Sequence, residues 1–326
     1  MKIAVDLMGG VGSGNPNLRA CLQYPSPEEL TLVGRMPDLD PNLVTRLQDH
    51  GADFVSCDDV LSGSETPRNL LKRGERTSLA LALNLLPTGN ADAVVSSADT
   101  KAVMILGRSQ LGTIEALKRP AIAKAFLGPL GLFYMLDLGA NVHCGADLLQ
   151  QFARLGCALF ESHSDNHVDN HEERDTNRAA RVGLLNIGTE KGKGTAQLNQ
   201  AADLLRQDKS KQFIGFIEPS DLFAGLADVI VCDGYTGNLV LKTVESMASF
   251  LRGQLGELEA SSGQLESLAA KVDIERYNGA LLAGLNGVVI KSHGSASERG
   301  FLHAIIQGRD SAKRQLLSAC KAALAN

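Results

Sequence analysis

The sequence has no tryptophan, and only 4% of its residues are aromatic. That composition gives little material for the aromatic platforms on which proteins stack nucleic-acid bases. Basic excess is missing too: the formal net charge is −5, and no clustered basic face of the kind a nucleic acid requires stands out. The six cysteines, Cys21, Cys57, Cys144, Cys157, Cys232 and Cys320, form no C-x-x-C pair, so packed, reduced thiols in a cytoplasmic protein are expected. No apolar run approaches the roughly 20 residues of a membrane span. The first residues pass straight into a strand pattern, Lys2–Asp6, with no signal-peptide signature. Internal repeats and low-complexity linkers are also missing.

What remains is an ordinary soluble composition, 44% apolar and 21% charged, over 326 residues, enough for a sizeable core. Short apolar runs at 2–6, 30–34, 53–56, 93–97, 132–137, 181–187, 213–216, 228–232 and 287–291 read as strands. Helical patterns separate most of them, at 65–87, 100–117, 144–160, 195–206 and 236–256. Such alternation predicts an α/β fold with a mostly parallel sheet covered by helices, in one domain spanning 1–326. The last third, 236–326, reads as mostly helical, with helices at 263–273, 276–285, 298–307 and 309–325.

The polar stretch 161–180 reads as an inserted loop. Its His163, His167 and His171, spaced by four, would share a helix face and suit a metal. It has no apolar stripe, however, and its Asp and Asn residues favour turns.

Chemistry-bearing residues gather where apolar runs end. After Val231 come Cys232-Asp233-Gly234-Tyr235-Thr236-Gly237-Asn238, either a capped turn or an anion site built from backbone N–H groups and side-chain partners. Asp137, Gly139 and Asn141 repeat the theme after Leu136. Lys291-Ser292-His293-Gly294 puts a cation, a hydroxyl and an imidazole together. That set suits phosphate or a proton donor, or else His293 merely caps the loop. Beside one another, these three clusters would wall one pocket at the strand ends.

Two glycine motifs fail their templates. Gly10, Gly12 and Gly14 are evenly spaced and do not match G-x-G-x-x-G, which argues against a nicotinamide dinucleotide. In Gly188–Thr195, Gly194 separates Lys193 from Thr195, so this is no P-loop.

Together these clusters resemble, in order and over nearly the whole chain, the bacterial phosphate acyltransferases of phospholipid synthesis, the PlsX family. The resemblance rests on Val5-Asp6-Leu7-Met8-Gly9-Gly10, Ala91–Ser96 before a Thr100 loop, and Arg119-Pro120-Ala121. It continues through Leu136–Asn141, Leu184–Gly188, Cys232–Asn238 with Lys242, Tyr277-Asn278-Gly279-Ala280, and Val289–Gly294. It implies a three-layer α/β/α sandwich related to isocitrate and isopropylmalate dehydrogenases and phosphotransacetylase, usually dimeric. It also implies a reaction: acyl-acyl carrier protein plus inorganic phosphate gives acyl phosphate and free carrier, with no cofactor or metal obligatory.

On this resemblance His293, Lys291, Asp233 and Asn238 are the candidate catalytic residues. Gly9, Gly10, Thr100, Asp137, Gly139, Asn141, Gly188, Gly234, Thr236, Gly237, Lys242, Asn278 and Ser292 are the candidates for binding substrate or phosphate. The sequence departs from the family at Val11-Gly12-Ser13, at His143, and at Ser96-Ser97-Ala98-Asp99-Thr100-Lys101, where the family carries Ser-Ala-Gly-Asn-Thr-Gly. The alternative is therefore a paralogue without transfer activity that binds acyl carrier protein or acyl-CoA. Segment 252–276 is polar where the family has an element tied to dimer or membrane contact, which argues against membrane binding here.

Overall fold

The computed structural model describes residues 1–12, 14–164, 179–208, 211–256, 275 and 278–325. The fold is α/β, with mostly parallel strands and intervening helices, in two compact units: Met1–Ala116 with Asn278–Ser318, and Leu117–Tyr277 with Ala319–Asn326.

In the first unit β1 (Ile3–Asp6), β2 (Leu30–Gly34), β3 (Asp53–Ser56), β4 (Ala93–Ser96), β10 (Ala280–Ala283) and β11 (Val288–Lys291) run in the order β3-β2-β1-β4-β11-β10. All pairings are parallel except β10 with β11. Strands β1, β2 and β4 are buried along their whole length. That is why they read as continuous apolar runs and not as alternating ones. Helices α4 (Ser78–Asn84) and α5 (Thr100–Leu111) cover them, joining Leu79, Leu83, Val103 and Leu106 to Ala4, Val94 and Val289 in one core.

The second unit holds β5 (Ala121–Gly128), β6 (Gly131–Leu136), β7 (Arg181–Leu185), β8 (Gln212–Ile217) and β9 (Val229–Val231) in the order β5-β6-β9-β7-β8. Only β5 with β6 is antiparallel. Helix α6 (Ala146–Ser164) approaches this sheet through Gly156, whose missing side chain leaves room for Val229 and Leu136. The long helix α8 (Gly234–Gly256) follows β9.

Several sequence expectations need correction. Residues 280–283 are strand β10, not part of a helix: Gly279 and Gly284, at φ +115° and +94°, bound a four-residue apolar run too short to be helical. The helix expected over 65–87 is broken between α3 (Pro67–Arg73) and α4, where Thr77 caps a new start by accepting from Ala80 N–H. The helix expected over 100–117 stops at Leu111 because Gly112 turns left-handed at φ +66°.

Strand β5 and two helices, Asn15–Leu22 and Pro41–Asp49, were not anticipated. Helix α6 reaches Ser164, four residues beyond the expected end, and carries His163 against the Tyr134 hydroxyl at 3.2 Å. His167, His171 and the helix expected at 263–273 lie outside the described residues. The helices expected at 298–307 and 309–325 are Glu298–Lys313 (α9) and Leu316–Ala325 (α10).

All six cysteines are buried and none is in a disulfide. Among the described residues no helix is long and apolar enough to cross a membrane.

Two helical glycines of the second unit, Gly156 and Gly253, predict opposite effects. A Cβ at Gly156 would lie 2.3 Å from Val229 Cγ1, whereas one at Gly253 of α8 meets nothing within 4 Å. Gly156→Ala should lower stability by about 1–2 kcal/mol, with overpacking outweighing helix propensity. Gly253→Ala should raise it by up to about 1 kcal/mol. Urea denaturation of each variant measures both signs.

Candidate active site

In the first unit, parallel register places Asp6, Ser96 and Lys291 side by side at the carboxyl ends of β1, β4 and β11. The three loops that follow are bonded to one another. Ser97 Oγ donates to Gly9 O at 2.6 Å, Val11 N–H to Gly294 O at 2.7 Å, and Ser292 N–H to Ser96 O at 2.8 Å. Glycine is required at this meeting point. A Cβ on Gly9 would lie 2.3 Å from Ala98 N, and one on Gly10, itself at φ +86°, 2.7 Å from Gly294 O.

Asp6 accepts from Ser96 Oγ at 2.6 Å and Met8 N–H at 3.1 Å, with Ser78 and Gly9 N–H adding to its shell. Burial pushes its carboxyl above the ordinary carboxylate value, and these bonds oppose that rise. Thr100 opens α5, which Asp99 caps by accepting from Lys101 and Ala102 N–H at 3.0 and 3.4 Å. The family's amide at position 99 and this chain's carboxylate are both good cap residues, so the departure preserves the helix start.

Asn278 brackets the β11 loop. Its Nδ2 donates to Ser292 Oγ and Gly300 O, each at 2.8 Å, and its Oδ1 accepts from His293 N–H at 3.1 Å. Lys291 Nζ reaches back to Ser292 O. His293 is exposed, and its Nδ1 accepts from Ser295 N–H at 3.3 Å and lies 2.9 Å from Ser295 Oγ. A backbone N–H can only donate, so the neutral ring carries its proton on Nε2.

In the second unit, Asp137, fully buried after β6, gathers the turn that follows it. Its Oδ1 accepts from Ile122, Gly139 and Ala140 N–H at 3.0–3.2 Å, and its Oδ2 from Asn141 N–H at 2.7 Å and Asn141 Nδ2 at 2.9 Å. Asn141 Nδ2 also donates to Pro120 O at 2.8 Å. Burial raises the Asp137 carboxyl above its ordinary range against the pull of those bonds.

Helix α8 begins directly against this turn. Gly234 N–H donates to Asn141 O at 2.7 Å, and Asp233 caps the helix by accepting from Thr236 N–H at 2.8 Å. A Cβ on Gly237 would lie 1.9 Å from Asp137 O. A Cβ on Gly139 would lie 3.5–3.6 Å from the side chain of Asn238, which is exposed. Lys242 lies two turns further along α8, where it pairs with Glu245 at 2.8 Å. After β7, Gly188 is buried against Glu190 and Lys193, and Asn186 braces the loop by donating to Lys193 O at 3.1 Å.

The structure thus collects Gly9, Gly10, Thr100, Asn278, Lys291, Ser292 and His293 at the strand ends of the first unit. It collects Asp137, Gly139, Asn141, Gly188, Asp233, Gly234, Thr236, Gly237 and Asn238 at those of the second. Asp6, Ser96, Ser97 and Ser295 escaped sequence reasoning as site residues. The available signal was the shared pattern of an acid or hydroxyl directly after an apolar run. The thiols are not poised for attack: burial pushes Cys144 up to about 12, with Asp137 and Asp233 adding to the rise, and Cys57 to about 11.

Known structures share this fold. A phosphotransacetylase from Streptococcus pyogenes superposes with a TM-score of 0.62 at 16% identity, covering 96% of this chain and 94% of its own. A branched-chain phosphotransacylase from Enterococcus faecalis gives 0.58 at 16% identity, with 95% and 99% covered. The fold is therefore one that a phosphotransacetylase and a phosphotransacylase also adopt.

Sequence comparison places the chain in a family. The family model described as "Fatty acid synthesis protein" matches residues 1–319. Phosphate acyltransferases from Shewanella woodyi and Pseudomonas putida are 35% and 38% identical to it. They cover 97% and 93% of this chain, and 94% and 91% of their own length is matched. The chain belongs to the phosphate acyltransferase family and is an enzyme, a transferase of fatty acid and phospholipid synthesis.

A residue with no side chain is the sharpest test of this geometry. Gly237→Ala forces a methyl onto Asp137 O and should cost about 3 kcal/mol or more, beyond ordinary overpacking because the clash is with backbone. Tyr235→Ala, an exposed change two residues away, should stay within about 0.5 kcal/mol. Thermal denaturation of the two variants separates them.

Proposed function

We propose that the enzyme transfers a fatty acyl group from acyl-acyl carrier protein to inorganic phosphate, releasing acyl phosphate and free carrier thiol. A phosphate oxygen attacks the thioester carbonyl carbon, a tetrahedral oxyanion forms, the C–S bond breaks, and the departing thiolate takes up a proton. Phosphate is already an anionic nucleophile and a thiolate is a good leaving group, with a thiol pKa near about 8.5. The demands on the protein are therefore orientation and charge stabilisation, with no strong base needed.

The observation that carries this reading is the register of β1, β4 and β11. It brings Lys291, His293 and the N-terminus of α5 with Thr100 to one end of the first unit. Lys291 and the α5 dipole suit phosphate. His293, with its Nε2 proton, serves as a donor to phosphate or to the oxyanion. Asp233, Thr236 and Asn238, with the Asp137–Asn141 turn, are assigned to substrate binding at the strand ends of the second unit. The apolar side chains of Val142, Ile187, Tyr235 and Leu239 are exposed in the segments after β6, β7 and β9, which suits a fatty chain. Gly188 lies beside Ile187, and Lys242 contributes positive charge on α8.

The same reading makes the enzyme a cytoplasmic homodimer with a three-layer sandwich of the isocitrate dehydrogenase type. A Salmonella typhimurium protein assigned as a 4-hydroxythreonine-4-phosphate dehydrogenase, with a TM-score of 0.55 and 12% identity, fits that kinship.

The test is release of carrier thiol from palmitoyl-carrier protein with and without phosphate, with palmitoyl-CoA as a second donor. Phosphate-dependent release from the carrier thioester is expected. Carrier binding without release would leave the non-catalytic reading standing instead. His293→Ala should abolish turnover, whereas His293→Gln, which keeps an N–H donor near the Nε2 position, should retain a measurable part of it. Unchanged turnover in His293→Ala removes the residue from the reaction.

A further inference from the structure

We infer that Asp6 is a positioning residue for phosphate: its carboxylate sets the shape of the two turns that present donors to the anion. This rests on the phosphate reading of the first unit. Asp6 is 1% exposed and does not itself reach a ligand, so its effect passes through what it holds. Its two oxygens serve different segments, Oδ1 taking Met8 N–H of its own loop and Oδ2 the Ser96 hydroxyl of the next strand.

Because Ser96 gives its proton to Asp6, the lone pairs of that hydroxyl face the other way and accept Ala98 N–H at 3.0 Å. The relay turns the Ala98 amide inward one residue before Asp99 caps α5, and so fixes where that helix begins. Gly9, whose virtual Cβ is 2.3 Å from Ala98 N, is held against the same point, and Ser97 Oγ ties Gly9 O from the other side. Ser78, the first residue of α4, adds a third element to the carboxylate. One buried acid therefore couples the Gly9–Gly10 turn, the Ser96–Ala98 turn and α4. Replacing the carboxylate by an amide leaves one oxygen to accept and turns an NH2 group toward buried donors.

The experiment compares Asp6→Asn, Ser96→Ala and a control, Asp228→Asn. The control removes a different buried carboxylate, which pairs with Arg181 in the second unit. Calorimetric binding of inorganic phosphate, the KM values for phosphate and for palmitoyl-carrier protein, and the thermal midpoint are measured for each. Asp6→Asn should weaken phosphate binding and raise its KM by about tenfold or more, the scale of one or two lost charge-assisted bonds, with the thioester KM within about twofold. Ser96→Ala, which removes one arm of the relay, should fall between Asp6→Asn and wild type. Asp228→Asn should lower the thermal midpoint and leave both KM values in place.

Wild-type phosphate affinity in Asp6→Asn overturns the inference, and so does an equal rise in both KM values with a thermal loss matching Asp228→Asn. If Asp6→Asn does not fold, unchanged phosphate affinity in Ser96→Ala overturns it instead. A wild-type enzyme that binds phosphate without transferring acyl groups refutes the proposed reaction but leaves this inference intact, provided Asp6→Asn loses that binding. A wild-type enzyme that does not bind phosphate overturns the inference.

Discussion

The structure depends on carboxylates buried at the ends of strands. A sheet end that crowds several tight turns together leaves backbone N–H groups facing inward, where water does not reach them, and each must find an acceptor. Asp6 does this in one unit and Asp137 in the other, each at the carboxyl end of an apolar strand. Both carboxyls have their proton affinity raised by burial, so the protein accepts an electrostatic penalty at these positions. The penalty is offset in part because several donors converge on each acid, the condition under which a buried charge is tolerable. An apolar residue would avoid that penalty but would leave the turns without their acceptor.

Glycine placement follows from the same crowding. Once Asp137 folds residues 138–141 into a compact turn, the first turn of α8 must pass within contact distance of its backbone, and only Gly234 and Gly237 allow it. In the first unit Gly9 and Gly10 meet Ala98 and Gly294 in the same manner. The glycines flanking Asp233 and Met8 thus serve close packing of backbone on backbone. Their proximity to the site is a consequence of turns and helix starts being assembled there.

Much of this was legible in the sequence, and the exceptions have physical causes. Strands such as Ile3–Asp6 and Ala93–Ser96 announced themselves because both of their faces are buried. Strand Ala280–Ala283 did not, since four apolar residues carry no period and only the glycines on either side mark its ends. Strand Ala121–Gly128 was not anticipated; its apolar run is interrupted by Lys124, which is mostly buried and pairs with Glu245 of α8 at 3.5 Å. At the site, the loops were visible as clusters of glycine, acid and amide. What the pattern could not convey was which polar atoms face the chain. Asn278 and Asp137 look like ligand-binding residues in sequence, yet their described bonds run to neighbouring backbone and side chains. Asp6 and Ser96 look like strand residues and turn out to organise the turns.

This division of labour bears on the chemistry. The thiols with raised pKa values are buried and protonated near neutral pH, so a covalent acyl-cysteine step has no ready nucleophile among them. In the proposed reaction His293, whose Nδ1 accepts from Ser295 N–H, takes the part of a donor and not of a base. Both facts fit the proposed mechanism, in which an anion that needs no activation is held in place and the developing oxyanion is met by donors. Rate then depends on how rigidly the donors are set, because a displacement of a fraction of an ångström weakens every one of them. The buried carboxylates supply that rigidity.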